Sequence, residues 1–400
     1  MSLIVALFIG LTVSAEEIFR DRKILKRESF LNLSRTSYLF SKISILLTIS
    51  AIQTISFVLI ANSILAIKGM YFEYWLVLFS TAIFANMLGL NISATFNSAV
   101  TIYIVIPLIM IPMMVLSGAM FSFDKLNRSV GSISKVPLIA EFMVTKWGYE
   151  ALIVHQFKDN DFQKNFYDIE KVERNANYKT VYYIPELTKR AEQSISLLDK
   201  KDDPKAMALL ADNLAELSKA LFTETNFMAP AIPYNYLNAL TVADFNEEAG
   251  FATLDYLNDL NKHYNAIFGS ANQKKDRIIN HLVSTNAELY EAKKRAYHNE
   301  SVADLVLKTF EKNKILQYKD ELVQQYDPIY RDPIPNHALD FRSHFLAPRK
   351  HFAGNYYDTF WFNVLIIWIM TITLYVTLYF ELLKRLLDLF AKIKVPTASK

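Results

Sequence analysis

Cysteine is absent from the 400 residues, and glycine (9) and proline (12) are scarce. Without cysteine no disulfide framework, Cys-ligated zinc, iron–sulfur cluster or thiol nucleophile can be built. So few glycines leave little room for a nucleotide cradle, and no G-x-x-x-x-G-K-[ST] loop occurs. H-E-x-x-H, G-x-S-x-G and the calcium-loop pattern are missing too, so the chain by itself reads as non-enzymatic. Charge is low at 21% and nearly balanced, with a formal net charge of +3. That is too small an excess for a nucleic-acid binder judged on charge. What the chain has in quantity is apolar surface: 52% hydrophobic residues, 28 Phe and 22 Tyr, and a mean hydropathy of +0.14. A chain soluble throughout would be more polar, so this is a membrane protein carrying a soluble part.

Residues 43–67, 74–98, 100–121 and 359–380 each run without a charged side chain. A bilayer core of ~30 Å takes about 20 helical residues, so each run can span it. None shows the polar stripe of a buried soluble helix. Residues 1–15 are apolar but short, and Glu16 and Glu17 follow at once. Val13-Ser14-Ala15 resembles a signal-peptide cleavage site, yet no Lys or Arg precedes the run. The preferred reading is a partial span whose beginning is missing.

Charge gives the spans a direction. In 16–42, Arg20, Arg22, Lys23, Lys26, Arg27, Arg35 and Lys42 outnumber Glu16, Glu17, Asp21 and Glu28. In the tail, Lys384, Arg385, Lys392, Lys394 and Lys400 outnumber Glu381 and Asp388. The positive-inside rule places both in the cytoplasm. Passing out at 43–67, in at 74–98, out at 100–121 and in at 359–380 brings the tail to that same side. Residues 122–358 are then expected outside the cytoplasm. Between 157 and 355 lie 26 basic and 29 acidic residues, so the basic excess sits at the membrane surface. Anionic lipid accounts for it, and nucleic acid is not needed.

The outer segment reads as helices throughout. Apolar residues recur at helical spacing in 184–199, 204–222, 244–267, 271–297 and 301–324. Asp202-Asp203-Pro204 is a cap with a first-turn proline, while Gly269-Ser270 and Asn299-Glu300-Ser301 punctuate the later stretches. The proline-bearing stretches 225–243 and 326–357 read as connectors to the membrane part. His337, His344 and His351 are seven apart, which on a helix leaves about 10 Å between side chains. Zinc needs its ligands about 2 Å away, so these read as ordinary loop histidines and no metal site is expected.

The segment 16–42 mixes apolar Ile18, Phe19, Ile24, Leu25, Phe30, Leu31 and Leu33 with dense charge of both signs. A helix there would lie along the cytoplasmic interface. It is either a juxtamembrane anchor or a docking helix for a cytoplasmic partner. The run Glu17…Arg20-Asp21-Arg22…Lys26-Arg27-Glu28, then Tyr38-Leu39-Phe40-Ser41-Lys42 leading into a span, resembles the connecting helix of type-2 ABC exporter permeases of the G-subfamily kind. Pro107…Ile111-Pro112…Leu116-Ser117-Gly118 and Val136-Pro137…Lys146-Trp147-Gly148-Tyr149-Glu150-Ala151-Leu152 are similar to that family's fifth span and the short re-entrant helices after it. The resemblance covers 1–156 and 358–385. It departs from the family in lacking the first span and the ATPase domain, and in an insertion of some 200 residues before the last span.

The resemblance implies an all-α, polytopic helical membrane protein with an inserted extracytoplasmic helical domain. Its expected division is a partial span at 1–15, a coupling helix at 16–42, three spans in 43–121 and re-entrant-like helices at 122–156. The helical domain follows at 157–357, then the last span at 358–383 and a basic tail at 384–400. No cofactor is expected in this chain; ATP and Mg belong to an ABC ATPase domain or subunit that would act through Arg20, Arg22, Lys23, Arg27 and Glu28. Two permease halves would pair in the lipid bilayer of the cell (inner) membrane. Candidates for the translocation path are the polar residues within spans, Gln53, Asn62, Asn86, Asn91 and Asn363, which could equally serve helix–helix hydrogen bonding. Pro107, Pro112 and Gly118 are candidate hinge residues. The rival class is a non-transporting membrane scaffold or sensor whose outer domain binds a partner.

Overall fold

The structure is a computed structural model, and it describes residues 1–28, 34–123, 135–200, 202–318 and 321–393. The chain forms two compact units, Met1–Asn160 with Pro333–Lys400, and Asp161–Asp332. The first unit opens with α1 (Ser2–Ser14), α2 (Glu17–Glu28), α3 (Arg35–Ile64), α4 (Tyr71–Thr95), α5 (Ala99–Val115), α6 (Leu138–Glu141) and α7 (Val144–Lys158). The second holds α8 (Tyr167–Tyr178), α9 (Ile184–Leu197), α10 (Pro204–Thr223), α11 (Glu247–Tyr297), α12 (Glu300–Leu307) and the hairpin β1 (Ile315–Tyr318) and β2 (Glu321–Gln324). The chain returns to the first unit with β3 (Arg349–Phe352), β4 (Asn355–Asp358), α13 (Thr359–Tyr379) and α14 (Leu382–Ile393). Among the described residues helix dominates and the sheet is confined to two hairpins, so the protein is an all-α polytopic membrane protein.

Among the described residues, α3, α4, α13 and the stretch Ser2–Leu25 are long and apolar enough to cross a membrane. The fifth apolar helix, α5, has 17 residues. α4 is the centre: α1, α3, α7 and α13 all pack on it. Its apolar window is mostly buried, whereas smaller shares of those of α3 and α13 are buried, and these two helices present Ile52, Ile60, Leu365 and Ile372 outward. Small residues bring α1 against α4. A Cβ at Gly10 would lie 2.7 Å from the Ala85 Cβ and 2.8 Å from the Ala82 carbonyl. One at Gly89 would overlap Ser14 and sit 3.0 Å from the Leu11 carbonyl. Gly10/Ser14 and Ala85/Gly89 are thus paired small residues at four-residue spacing, which lets backbones approach where apolar burial alone cannot drive association in lipid. The apolar run 1–15 is a helix inserted against the centre of its unit.

Three reaches of the chain fold differently from their sequence periodicity. Residues 301–324 are not one helix: α12 stops at Leu307, Lys308 turns left-handed at φ 48, and β1 pairs antiparallel with β2 from Ile315↔Gln324 to Tyr318↔Glu321. The apolar i, i+3 pattern there also satisfies a short two-sided strand, and the Glu311–Lys314 polar run separates the two. Gly269-Ser270 does not interrupt α11; the break is at Asn286 (φ −163, ψ 95), whose Oδ1 accepts from the Leu289 N–H and caps the restarted helix. The connector 326–357 contains the β3–β4 hairpin, turned by Ala353 (φ 51) and Gly354 (φ 79). Two positive-φ residues make the type I′ turn that matches strand twist.

In the second unit α8–α11 enclose one apolar core rich in tyrosine. Two five-residue π turns, Lys179–Tyr183 and Glu224–Met228, meet where Lys179 pairs with the fully buried Glu224 carboxylate. The Tyr264 hydroxyl donates to its second oxygen at 2.7 Å, and Lys179 Nζ lies 3.7 Å from the Tyr183 ring centre. The buried charge is therefore paired and hydrogen-bonded, as a low-dielectric interior requires.

Candidate functional site

One end of the first unit gathers the start of α3, the ends of α4 and α13, and α2. The α2–α4 junction is reciprocal. Free N–H groups at the start of α2, those of Ile18 and Phe19, donate to the Ser93 hydroxyl of α4 at 3.0 and 2.9 Å. In return the Arg22 guanidinium of α2 donates to the terminal α4 carbonyls of Ala94 and Phe96, both at 3.1 Å, and to Asn97. Each helix satisfies the other's unpaired end, and a cation sits at the negative end of α4. A second tie runs to α3: Lys42 Nζ lies 2.7 Å from both Glu17 and Asp21, and the Tyr38 hydroxyl donates to Asp21 at 3.2 Å.

This divides the charged residues singled out in α2. Arg22 faces inward as a cap. Arg20, Lys23 and Arg27 are exposed, Arg20 bonding only its own helix at Glu17 among its described contacts. The side chains of Lys26 and Glu28, and residues Phe30, Leu31 and Leu33, lie outside the described residues, as do 124–134 and 394–400 of the expected re-entrant segment and tail.

The opposite end carries a buried ion network that the sequence reading does not single out. Lys146 Nζ lies 2.8 Å from Glu141 and 3.4 Å from Glu150. Lys350 Nζ reaches Glu150 at 2.7 Å and the Ser343 hydroxyl at 2.6 Å. Glu150 also accepts from the Leu346 N–H and from the Asn363 amide, each at 3.1 Å. Glu150, Lys146 and Lys350 are at most 1% exposed. Burial alone would push the Glu150 carboxyl up; Lys146, Lys350 and the Asn363 amide outweigh it and hold it below the usual carboxylate range. Burial pulls the Lys350 ammonium down while Glu150 opposes. Two carboxylates and two ammoniums balance, so the network binds α7, the 343–350 loop and α13 into one piece. Trp147 caps it, with Lys146 Nζ 3.5 Å from its ring centre and its indole N–H on the Glu141 carbonyl. Glu141, Lys146 and Glu150 are three charges inside an otherwise apolar stretch, and that was the available signal.

The span polar residues fall into separate places. Asn86 donates to Ser50 of α3 at 2.8 Å. Asn91 donates to the Leu374 carbonyl of α13 at 2.9 Å and accepts from Thr377. Asn363 belongs to the network above. Asn62 is buried, its amide nitrogen without a hydrogen-bond partner. Gln53 lines a cavity between α1, α3 and α4 of about 30 Å³, room for about one water molecule. Pro107 and Pro112 both lie within α5. Gly118 is left-handed at φ 78 against Phe345 and Phe123 and turns the chain after α5 has ended at Val115, short of residue 121. His351 sits in β3 with Nδ1 on the Asp340 carbonyl, His344 is buried and His337 exposed. Among the described residues no group of three His, Asp or Glu could hold a metal ion.

A bundle of apolar helices around a buried α4, with a charged helix capped onto one end and short helices locked at the other, is the architecture of a polytopic membrane protein. Residues 1–157 match the family model of the ABC-2 type transporter, so this part of the chain is similar to the membrane domain of type-2 ABC permeases, a transmembrane component of ABC transporters. No curated protein and no solved structure matches the chain.

Proposed function

We propose that the chain is the permease half of an ATP-driven ABC exporter in the cell (inner) membrane. An ABC ATPase, fused or separate and carrying ATP and Mg, bears on the exposed residues of α2, Arg20, Lys23 and Arg27, and on Glu28 after them in the sequence, and Arg22 passes the load inward. What supports this reading above all is the reciprocal capping of α2 and α4. A helix tied through both its own start and its neighbour's end cannot move without moving α4, on which the other spans pack. ATP then acts through different affinity for the inward- and outward-facing arrangements. With α2 and the tail cytoplasmic, residues 161–332 lie on the outer side. Two halves pair with the substrate path between them. Pro107, Pro112 and Gly118 supply the bend.

The test is ATP hydrolysis by the reconstituted permease–ATPase complex carrying Arg27→Glu with Glu28→Arg. The swap keeps net charge, so lipid attraction is preserved, and a substitution at an exposed position such as Arg27 alters stability by about 0.5 kcal/mol or less. Loss of substrate-stimulated hydrolysis at unchanged melting temperature is expected. Unchanged hydrolysis and transport would return α2 to the role of a lipid anchor.

A further inference from the structure

Immediately after the last span the chain makes a left-handed turn. Phe380 ends α13, and Glu381 is left-handed at φ 49, so α14 cannot continue the axis of the span. The turn is held from α3: Arg35 pairs with Glu381 at 2.9 Å, donates to the Leu378 carbonyl at 3.3 Å, and lies 6.0 Å from the Tyr379 ring centre. Beyond it the sequence is Leu-Leu-Lys-Arg-Leu-Leu-Asp-Leu. At about 100° per residue Leu382, Leu386 and Leu389 fall along one face and Leu383 and Leu387 flank it, while Lys384, Arg385 and Asp388 fall opposite. Yet among the described residues much of that face is left exposed. Leu386 is 51% and Leu389 61% exposed, and Leu382 and Leu387 are exposed too.

We propose that α14 is a membrane-surface helix whose leucine face lies in the bilayer beside α13 and whose Lys384 and Arg385 take anionic phospholipid headgroups. Three observations choose lipid as the occupant. The leucines begin two residues after a span whose outward residues Ile369, Ile372 and Val376 are themselves exposed, so the same hydrocarbon is at hand. The left-handed turn at Glu381 breaks the helical axis at the boundary of the apolar run. The opposite face carries Lys384 and Arg385 against Asp388, and the sequence goes on with Lys392, Lys394 and Lys400 and no further acid, a basic excess that complements anionic headgroups. Because Arg35 clasps the turn, the position of α14 on the lipid surface also sets where α3 begins.

The absence of native cysteine allows a spin-label scan of the full chain in nanodiscs. Single labels at Leu386→Cys, Leu389→Cys, Arg385→Cys and Asp388→Cys are compared in phosphatidylcholine and in phosphatidylcholine–phosphatidylglycerol discs. Labels at 386 and 389 should be reached by oxygen and shielded from an aqueous nickel chelate; those at 385 and 388 should show the reverse. In the Leu389→Cys background, neutralising Lys384 or Arg385 should lower the lipid-docked fraction about fivefold each in the anionic discs, the fold-change equivalent to about 1 kcal/mol per basic residue. Equal water access on both faces would overturn the proposal, as would docking indifferent to anionic lipid and to the two neutralisations.

Discussion

Lys350→Met is the sharpest test of the buried network, because it leaves a charge with nowhere to go. The methionine fills nearly the same volume, so packing is kept and the change is electrostatic. Glu150 then retains Lys146 at 3.4 Å, but that ammonium is already held by Glu141 at 2.8 Å, and the cluster carries one uncompensated negative charge at a site that is 0% exposed. Breaking a buried pair from one side costs about 3–5 kcal/mol. Glu150→Gln alone leaves the opposite imbalance and should cost a similar amount. The double variant restores neutrality, and the glutamine keeps one carbonyl oxygen that can accept from either the Leu346 N–H or the Asn363 amide, which in Glu150 bond different carboxylate oxygens. Its loss should be smaller than the sum of the singles by roughly 2 kcal/mol or more. Reversible unfolding of the full chain in lipid discs, read through tryptophan fluorescence, gives all four corners of the cycle. Singles that each cost less than about 1 kcal/mol and add without coupling would refute a charge-balanced clamp.

Two glycines should respond in opposite directions. Gly89→Val meets Ser14 and the Leu11 carbonyl and should destabilise the first unit by about 1–3 kcal/mol, whereas Gly269→Ala enters open space on α11 and should stabilise by about 0.5–1 kcal/mol; melting curves compare the two. The segment 161–332, expressed alone, should be soluble and strongly helical by circular dichroism. Within it Asp327 is pushed up from 3.8 to about 6 by burial, which Arg174 only partly opposes. The folded state then binds the proton more tightly than the unfolded one, so this group's contribution to stability falls as pH rises from about 4 through about 6. Asp327→Asn should therefore stabilise by about 1–3 kcal/mol at pH 8 and by little near pH 4, as urea titrations at the two pH values would show; a larger gain at pH 4 would reverse the assignment. Topology is checked by Ser284→Cys, which should react with a membrane-impermeant thiol reagent in intact cells, and Ser399→Cys, which should react only after permeabilisation; labelling at 399 alone would invert the bundle.

Element type was legible wherever one rule dominated. Uncharged runs of more than 20 residues can only be helices in lipid, because every backbone group must be bonded within its own segment. The helical character of α3, α4 and α13 follows from that, whereas α3 begins eight residues before its uncharged run, at Arg35. Local signals failed where two satisfied the same pattern. Gly269 looks like a break, but in an exposed helix a glycine costs only about 1 kcal/mol, and the packing of α8 on α11 outweighs it. Asn286 gives a weaker sequence signal and yet is the break, since its side chain offers Leu289 the cap the restarted helix needs. The strands of 315–324 were hidden because four-residue elements are too short to separate period 2 from period 3.6.

The candidate site divides along a different line. Charge density marked α2, and there the sequence is rich because the partners are near: Glu17, Asp21 and Lys42 lie within 25 residues of one another. Even so, charge density could not separate Arg22, which caps α4, from Arg20, Lys23 and Arg27, which face outward; that distinction depends on where Ser93 and Phe96 stand, some 70 residues away. At the other end Glu150 finds Lys350 at a separation of 200 residues. Nothing local in either segment announces the other, and a lysine beside Arg349 in a loop reads as solvated until the fold puts it at 1% exposure. A buried charge needs a partner whatever its distance along the chain, so each intrusion of charge into an apolar stretch is in effect half of a statement. Glu141, Lys146 and Glu150 leave one negative charge over when counted among themselves. That surplus required a cation from elsewhere in the chain, and the network supplies it as Lys350.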